Sequence, residues 1–222
     1  MSGLTAEKIR ATNVQIWEGC TIRTVEVGFD APAELPKLVF IHGYGGSGAL
    51  FFNIMEPLSH HFHCYFIDII GMGGSSRWPY NADTPEDSEQ YFLRFLEAWR
   101  VAAGNLTNFN LSGHSFGGYL AGLYAAKFPL HIKKLLLVSP IGFTDEPLAF
   151  QYSGMRFRGG NDEKGNPIQR VGPPSIALPF TNWVWEKRVS PFWVQRKLGQ
   201  GLTKKFIASY VDKRMNTNGN VD

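Results

Sequence analysis

The stretch that decides the fold is NLSGHSFGG, residues 110–118, at the middle of the 222-residue chain. It contains the pattern Gly-x-Ser-x-Gly, with an apolar strand-like run before it and an apolar helix-like run after it. Such a serine sits in a tight strand-to-helix turn, and glycines two residues to either side allow the backbone to fold that closely. Ser115 is therefore predicted to be a nucleophile that a histidine base would activate. The alternative is a structural glycine turn.

Short apolar runs around this stretch predict the strands. Two alternating runs, 14–19 and 21–28, lie close together and predict an antiparallel hairpin at a sheet edge. The other runs are nearly continuous, as in parallel strands that are buried on both faces. They occur at 38–41, 65–70, 109–113 and 135–140.

Helical patterns separate these runs. One apolar stripe covers 89–104, with Asp87 or Ser88 as the predicted N-cap. The segment 116–128 is apolar nearly all round and should be buried. Alternating strands and helices predict a three-layer α/β domain with a mostly parallel sheet.

The loop after the run 38–41 reads His42-Gly43-Tyr44-Gly45. Glycines here leave backbone amides able to point at a developing oxyanion. The amides of Tyr44 and Phe116 are the predicted oxyanion donors, with Gly45 as a further candidate. His42 is expected to tie the loop down and not to act as the base.

The same loop also fits a dinucleotide-binding fingerprint. Gly43-x-Gly45-x-x-Gly48 follows a strand, and Asp68 lies 20 residues further on. Two features oppose this interpretation. Pro57 should interrupt the helix that would face the pyrophosphate, and the serine motif stays unexplained.

Weaker patterns carry less chemistry. The cluster His60, His61, His63 and Cys64 resembles a metal site, but it lies where the chain enters a strand. His63-x4-Asp68 resembles an acyltransferase motif, yet a spacing of five on a strand puts the two side chains on opposite faces. Neither a metal nor a cofactor is expected, and Cys20 and Cys64 are expected to be plain thiols.

Charge divides the chain unevenly. Residues 1–150 hold 10 Lys/Arg and 14 Asp/Glu, whereas residues 151–222 hold 12 and 5, for a net charge of +3. The longest apolar runs are about four residues, far short of the roughly 20 that span a bilayer. The start of the chain is polar and does not resemble a signal peptide. A cytoplasmic location is therefore expected.

Five segments together resemble the α/β-hydrolase fold: VFIHGYGG, FIDIIGMGGSS, SEQYFLRFLEAWR, LSGHSFGGYLAGLYAAKFP and IKKLLLVSPIGF. The helix ending in Glu97-Ala98-Trp99-Arg100 is similar to one subfamily in particular. That subfamily contains N-acyl-phosphatidylethanolamine lysophospholipases, the lipid-droplet co-activator of adipose triglyceride lipase, and lysophosphatidic acid acyltransferases.

The resemblance implies a lysophospholipase-like serine esterase, with an acyltransferase or a non-catalytic lipase regulator as alternatives. Ser115 matches the nucleophile, and Tyr44 and Phe116 match the oxyanion positions. Residues 1–144 match part of the hydrolase core, and 145–222 match a helical cap. The implied partners are an acyl-ester lipid and a membrane or lipid-droplet surface, with no nucleic acid. The basic, aromatic cap sequence fits an anionic lipid surface, or equally a solvated basic face.

The family places its acid and its histidine after the serine. Only His131 follows Ser115, and it lies at the wrong end of a predicted strand. No buried strand with a following acid is predicted after Pro140. The C-terminal strands are therefore expected to be missing from this chain, with an apolar sheet edge exposed. On this expectation the 222-residue chain has little esterase activity.

Overall fold

The computed structural model describes residues 5–31 and 34–142. Its strands are β1 (Ile9–Trp17), β2 (Cys20–Val27), β3 (Lys37–Ile41), β4 (His63–Ile67), β5 (Phe109–His114) and β6 (Ile132–Val138). Its α-helices are α1 (Phe52–Ser59), α2 (Pro85–Ala102) and α3 (Phe116–Lys127). Short 3-10 turns cover Ala6–Lys8, Gly48–Phe51 and Pro129–His131.

The strands form one six-stranded sheet in the order β1-β2-β4-β3-β5-β6. β1 and β2 are antiparallel and lie at one edge, which confirms the predicted hairpin. β2 is antiparallel to β4. β3 runs parallel to both β4 and β5, and β5 runs parallel to β6. The mostly parallel sheet confirms the predicted fold class.

Helices pack on both faces of this sheet and produce three layers. On one face, Met55 of α1 packs into a cluster with Phe40 and Phe66. On the other face, α2 and α3 cover a larger cluster that includes Phe95, Trp99, Leu111, Leu120 and Ile41. Trp99 is fully buried, and its indole N–H donates to the hydroxyl of Thr24 at 2.9 Å, which satisfies the one polar atom of that side chain.

The first turn of α2 differs from the prediction. The N-cap is Thr84, not Asp87 or Ser88, and Pro85 takes the first helical position. The Thr84 hydroxyl accepts from the Asp87 amide at 3.1 Å, and the Asp87 carboxylate accepts from the Thr84 amide at 3.3 Å. Asp87 therefore completes a reciprocal capping box from inside the helix. The fixed φ of Pro85 suits the helix start.

The structure corrects other sequence predictions as well. β1 covers Ile9–Trp17, where 14–19 was predicted, and β6 covers Ile132–Val138, where 135–140 was predicted. β4 ends at Ile67, because the following residues turn back and the Met72 amide donates to the Ile69 carbonyl at 2.9 Å. Pro57 lies inside α1 and does not interrupt it. The predicted boundary between a core (1–144) and a cap (145–222) stays a prediction, because residues 143–222 lie outside the described residues.

β6 presents apolar side chains to solvent. Leu135 is 39% exposed and Leu136 is 60% exposed. Among the described residues, β6 pairs only with β5. The apolar sheet edge expected from the sequence is therefore present in the described part of the chain.

A polar network joins the C-terminal ends of α2 and α3. Arg100 is buried and donates to both carboxylate oxygens of Glu97, at 2.9 and 2.7 Å. Tyr124 donates to the same carboxylate at 2.5 Å. Burial raises the pKa of Glu97, but the hydrogen bonds from Arg100 and Tyr124 outweigh it, so the pKa lies below its ordinary value.

A depressed carboxyl pKa makes the contribution of Glu97 to stability depend on pH. The contribution is present above the ordinary carboxyl range and is lost as pH falls through the lowered pKa of the folded state. We expect Glu97→Gln to lower the free energy of unfolding by about 1–2 kcal/mol at neutral pH. The difference from wild type should shrink at acidic pH, as pH falls through the lowered pKa of the folded state. Urea titrations at both pH values measure it. Glu34→Gln, at an exposed position, is the control, and an equal loss at both pH values would contradict the prediction.

Candidate active site

Ser115 lies in a strained turn between β5 and α3. Its φ of 54° and ψ of −117° are rare for a residue with a side chain. The Ser115 amide donates to the Val138 carbonyl at 3.0 Å, and the Ser115 carbonyl accepts from the Tyr119 amide at 3.1 Å. The surrounding backbone therefore holds the strained conformation in place.

The two motif glycines are required by close backbone packing. A Cβ on Gly113 would lie 2.1 Å from the Gly117 carbonyl oxygen. A Cβ on Gly117 would lie 2.3 Å from the carbonyl oxygen of Ile41, the last residue of β3. Only glycine allows α3 to approach β3 and β5 this closely. The spacing Gly-x-Ser-x-Gly is therefore explained by tight backbone packing, as predicted from the sequence.

His42 ties down the loop that follows β3. It is 1% exposed. Its Nδ1 lies 2.7 Å from the Gly43 carbonyl oxygen, and its Nε2 accepts from the Ile69 amide at 2.9 Å. These contacts require a proton on Nδ1 and none on Nε2. Burial lowers the pKa of His42, against the opposing effects of the Gly43 carbonyl and Asp68, so the ring is neutral.

Asp68 joins the loops after β3 and β4. Its carboxylate accepts from the Gly48 amide at 2.6 Å and from the Gly74 amide at 2.7 Å, and the residue is 3% exposed. Its oxygens are thus engaged by backbone, in the place where a nucleotide ribose would need them. Because both carboxylate oxygens of Asp68 are already bonded, the dinucleotide-binding alternative is contradicted. The other predicted objection to it fails, since Pro57 lies inside α1 and does not interrupt the helix.

The structure brings the loops of the three predicted site residues together. The rings of Tyr44 and Phe116 meet edge to face, with centroids 6.1 Å apart. A Cβ on Gly43 would lie 3.2 Å from the Ser115 Cβ. The Phe116 amide belongs to the first turn of α3, where amides have no partner within the helix. The assignment of Tyr44 and Phe116 as oxyanion donors stays a prediction.

Gly45, the further oxyanion candidate, already has a partner. Its amide donates to the Met72 sulfur at 3.3 Å. Sequence reasoning missed Met72, which lies 27 residues away in the loop after β4. The contact could have been predicted only from the sheet topology, because loops that follow adjacent parallel strands meet at the same edge of the sheet.

The described ranges hold no imidazole or carboxylate that is hydrogen-bonded to the candidate nucleophile. His131 contacts Tyr124 and Glu97 instead, at 3.3 and 3.8 Å. Tyr124 is nine residues along the chain from Ser115, or about 13 Å along α3. His131 is thus at the opposite end of that helix.

The remaining sequence candidates form no metal site in the described ranges. His63 lies 3.1 Å from the Glu26 carboxylate, so it does not act together with Asp68. Cys20 and Cys64 are buried free thiols, and burial raises the pKa of Cys64 to about 12.

Residues 5–31 and 34–142 contain no group of three or more potential metal ligands. Over the same ranges, no helix is both long and apolar enough to cross a bilayer.

Comparisons with known proteins agree with this geometry. A family model described as the alpha/beta hydrolase fold matches residues 36–160. A 1-acylglycerol-3-phosphate O-acyltransferase of Arabidopsis thaliana is 38% identical over 94% of this chain and 46% of its own length. A (lyso)-N-acylphosphatidylethanolamine lipase of Bos taurus is 40% identical over 57% of this chain and 36% of its own length.

A solved structure shows the same fold. It is a membrane phospholipase A described as a bacterial virulence factor, with a TM-score of 0.54 and 27% identity. The match covers 62% of this chain and 41% of the other. This chain spans less than half the length of the plant acyltransferases that it matches, 41% of the Oryza sativa protein and 46% of the Arabidopsis thaliana protein.

Proposed function

Because the chain belongs to the alpha/beta hydrolase fold family, we propose that Ser115 is the nucleophile of a serine esterase that acts on lysophospholipid-like acyl esters. The observation that carries this proposal is the strained Ser115 turn, closed by Gly113 and Gly117 against β3. Strain of this kind concentrates at functional sites. The lipid character of the substrate rests on the similarity to the lipase and acyltransferase relatives.

In the proposed mechanism a general base removes the Ser115 hydroxyl proton while the Ser115 oxygen attacks the acyl carbonyl carbon, and the carbonyl oxygen becomes an oxyanion. The amides of Tyr44 and Phe116 would stabilise that charge, together with the N-terminus of α3. Collapse of the intermediate breaks the ester C–O bond, and the alcohol leaves with the proton that the base took from Ser115. Water then releases the acyl group from Ser115 as a carboxylic acid.

A second candidate differs only in the acceptor. If a lysophosphatidic acid hydroxyl replaces water, the same acyl-serine gives acyl transfer. The plant acyltransferase relative, which matches 94% of this chain, favours this candidate. A non-catalytic regulator at a lipid surface is a third candidate, which the basic sequence of residues 151–222 would suit.

Reaction with a fluorophosphonate tests the nucleophile. Its fluoride leaves without needing a proton, so labelling requires only the removal of the Ser115 proton, which hydroxide can supply slowly at alkaline pH. We expect one slow labelling event per chain, measured by intact-protein mass spectrometry, and none in Ser115→Ala. Turnover should be low, because His131, the one histidine after Ser115, lies at the other end of α3.

Ser139→Ala is the matched control. Ser139 is exposed and also has a positive φ, of 44°. It should label like the wild type. Equal labelling of wild type and Ser115→Ala would refute the nucleophile. Folded wild type that shows no labelling would favour the regulator.

A further inference from the structure

The loop of residues 71–77, which follows β4, is a rigid support beside the candidate oxyanion loop. The Arg77 guanidinium donates to the carbonyls of Met72 and Gly73, at 3.3 and 2.9 Å, and also to that of Ser75. The Ser76 amide donates to the carbonyl of Thr21 in β2 at 3.0 Å, and the Ser76 hydroxyl accepts from the Thr21 amide at 2.9 Å. The loop therefore has little freedom to move away from its neighbours.

Met72 is the point where this support contacts the oxyanion loop. Its sulfur lies 3.3 Å from the amide nitrogen of Gly45, which has a φ of 70°. Gly45 directly follows Tyr44, so the same short segment carries the proposed oxyanion donor. A thioether is a weak acceptor, and this contact holds the peptide without competing strongly for its proton.

Met72 is also accessible, in contrast to the other methionine that the structure describes. The chain has five methionines, of which Met55 and Met72 lie in the described ranges. Met55 is 3% exposed inside the core beneath α1, whereas Met72 is half-buried on a surface loop. A dissolved oxidant would therefore reach the sulfur of Met72 before that of Met55.

We propose that Met72 is an oxidation site that controls the geometry of the candidate oxyanion loop. A hydroperoxide transfers one oxygen atom to the thioether, which gives the sulfoxide and water or an alcohol. The sulfur is oxidised, the O–O bond breaks, and the peroxide is reduced. Sulfoxide formation turns a weak, apolar acceptor into a polar, chiral group with a strong acceptor oxygen.

The added oxygen cannot be accommodated without change. It enters a contact that is already 3.3 Å long, next to a loop that Arg77 and Thr21 hold in place. The Gly45 amide then bonds to the new oxygen, and the Tyr44–Gly45 peptide shifts with it. The consequence for catalysis rests on the proposed function. A misplacement of about 1 Å would lower reaction at Ser115 roughly ten- to hundredfold. The change in the hydrogen bond of the Gly45 amide can be measured whether or not Ser115 is reactive.

The test treats the folded chain with hydrogen peroxide and follows the Gly45 amide by ¹H–¹⁵N NMR. Peptide mass spectrometry locates the added oxygen. We expect oxidation of Met72 ahead of Met55, a downfield shift of the Gly45 amide proton, and recovery after treatment with methionine sulfoxide reductases. Met72→Leu should show no peroxide-dependent shift at Gly45, whereas Met55→Leu should behave like the wild type.

Two outcomes would overturn the proposal. An unchanged Gly45 amide when Met72 is oxidised would show that the sulfur does not control the loop. A shift that persists in Met72→Leu would assign the effect to another residue. Loss of fluorophosphonate labelling on oxidation, with labelling kept in oxidised Met72→Leu, extends the result to Ser115. If the unoxidised chain is never labelled, the proposed function fails while the Gly45 result still stands.

Discussion

Replacing Gly117 with alanine is expected to lower the free energy of unfolding by about 3 kcal/mol. The new Cβ would lie 2.3 Å from the Ile41 carbonyl oxygen and 2.4 Å from that of His42. Both atoms are backbone, so no side chain can rotate away, and α3 must separate from the end of β3. The higher helix propensity of alanine returns only about 1 kcal/mol. Urea unfolding followed by circular dichroism measures the loss.

Gly19→Ala is the matched control for this prediction. Gly19 has a positive φ of 69° in the β1–β2 turn, but nothing lies within 4 Å of its Cβ position. It should cost about 1 kcal/mol through backbone strain alone. If the two substitutions cost the same, then close packing is not the reason for glycine at 117. Because Gly117→Ala also moves β3 away from Ser115, fluorophosphonate labelling should fall more than in Gly19→Ala.

Asp68→Ala is expected to lower the free energy of unfolding by about 3–5 kcal/mol, because it leaves two buried donors unsatisfied. The substitution leaves the buried amides of Gly48 and Gly74 without their acceptor. It also releases the loop after β3 from the loop after β4. Thermal unfolding and urea titration of the purified variant measure this cost.

Asp68→Asn keeps the shape of the side chain and removes its charge, so it tests the carboxylate itself. Its side chain has one acceptor oxygen, so it can serve either Gly48 or Gly74, and its NH₂ group then faces the other donor. A loss of about 2 kcal/mol is expected. Asp83→Asn, at an exposed position, should change stability by less than about 0.5 kcal/mol. An Asp68→Asn variant as stable as Asp83→Asn would contradict the proposed role of the carboxylate as a tie between the loops.

Much of the fold followed from local patterns. The antiparallel hairpin, the buried parallel strands and the helix after Ser115 were predicted because each has a hydrophobic period that a short window of sequence displays. The turn at Ser115 was predicted from the two glycines that flank the serine. Each of them allows a close backbone contact that a side chain would prevent. The N-cap of α2 was misplaced because several cap-forming residues occur within five positions, and local sequence does not rank Thr84 above Asp87 or Ser88.

The sequence by itself determined the α/β architecture and the position of Ser115 in a strand-to-helix turn. Only the tertiary structure decided how the loops around it are held. Asp68 bonds Gly48 and Gly74, His42 accepts from Ile69, and Met72 contacts Gly45. Most of these partners are 20 or more residues apart in the chain. No periodicity links such pairs, because they meet only when adjacent parallel strands deliver their loops to one edge of the sheet.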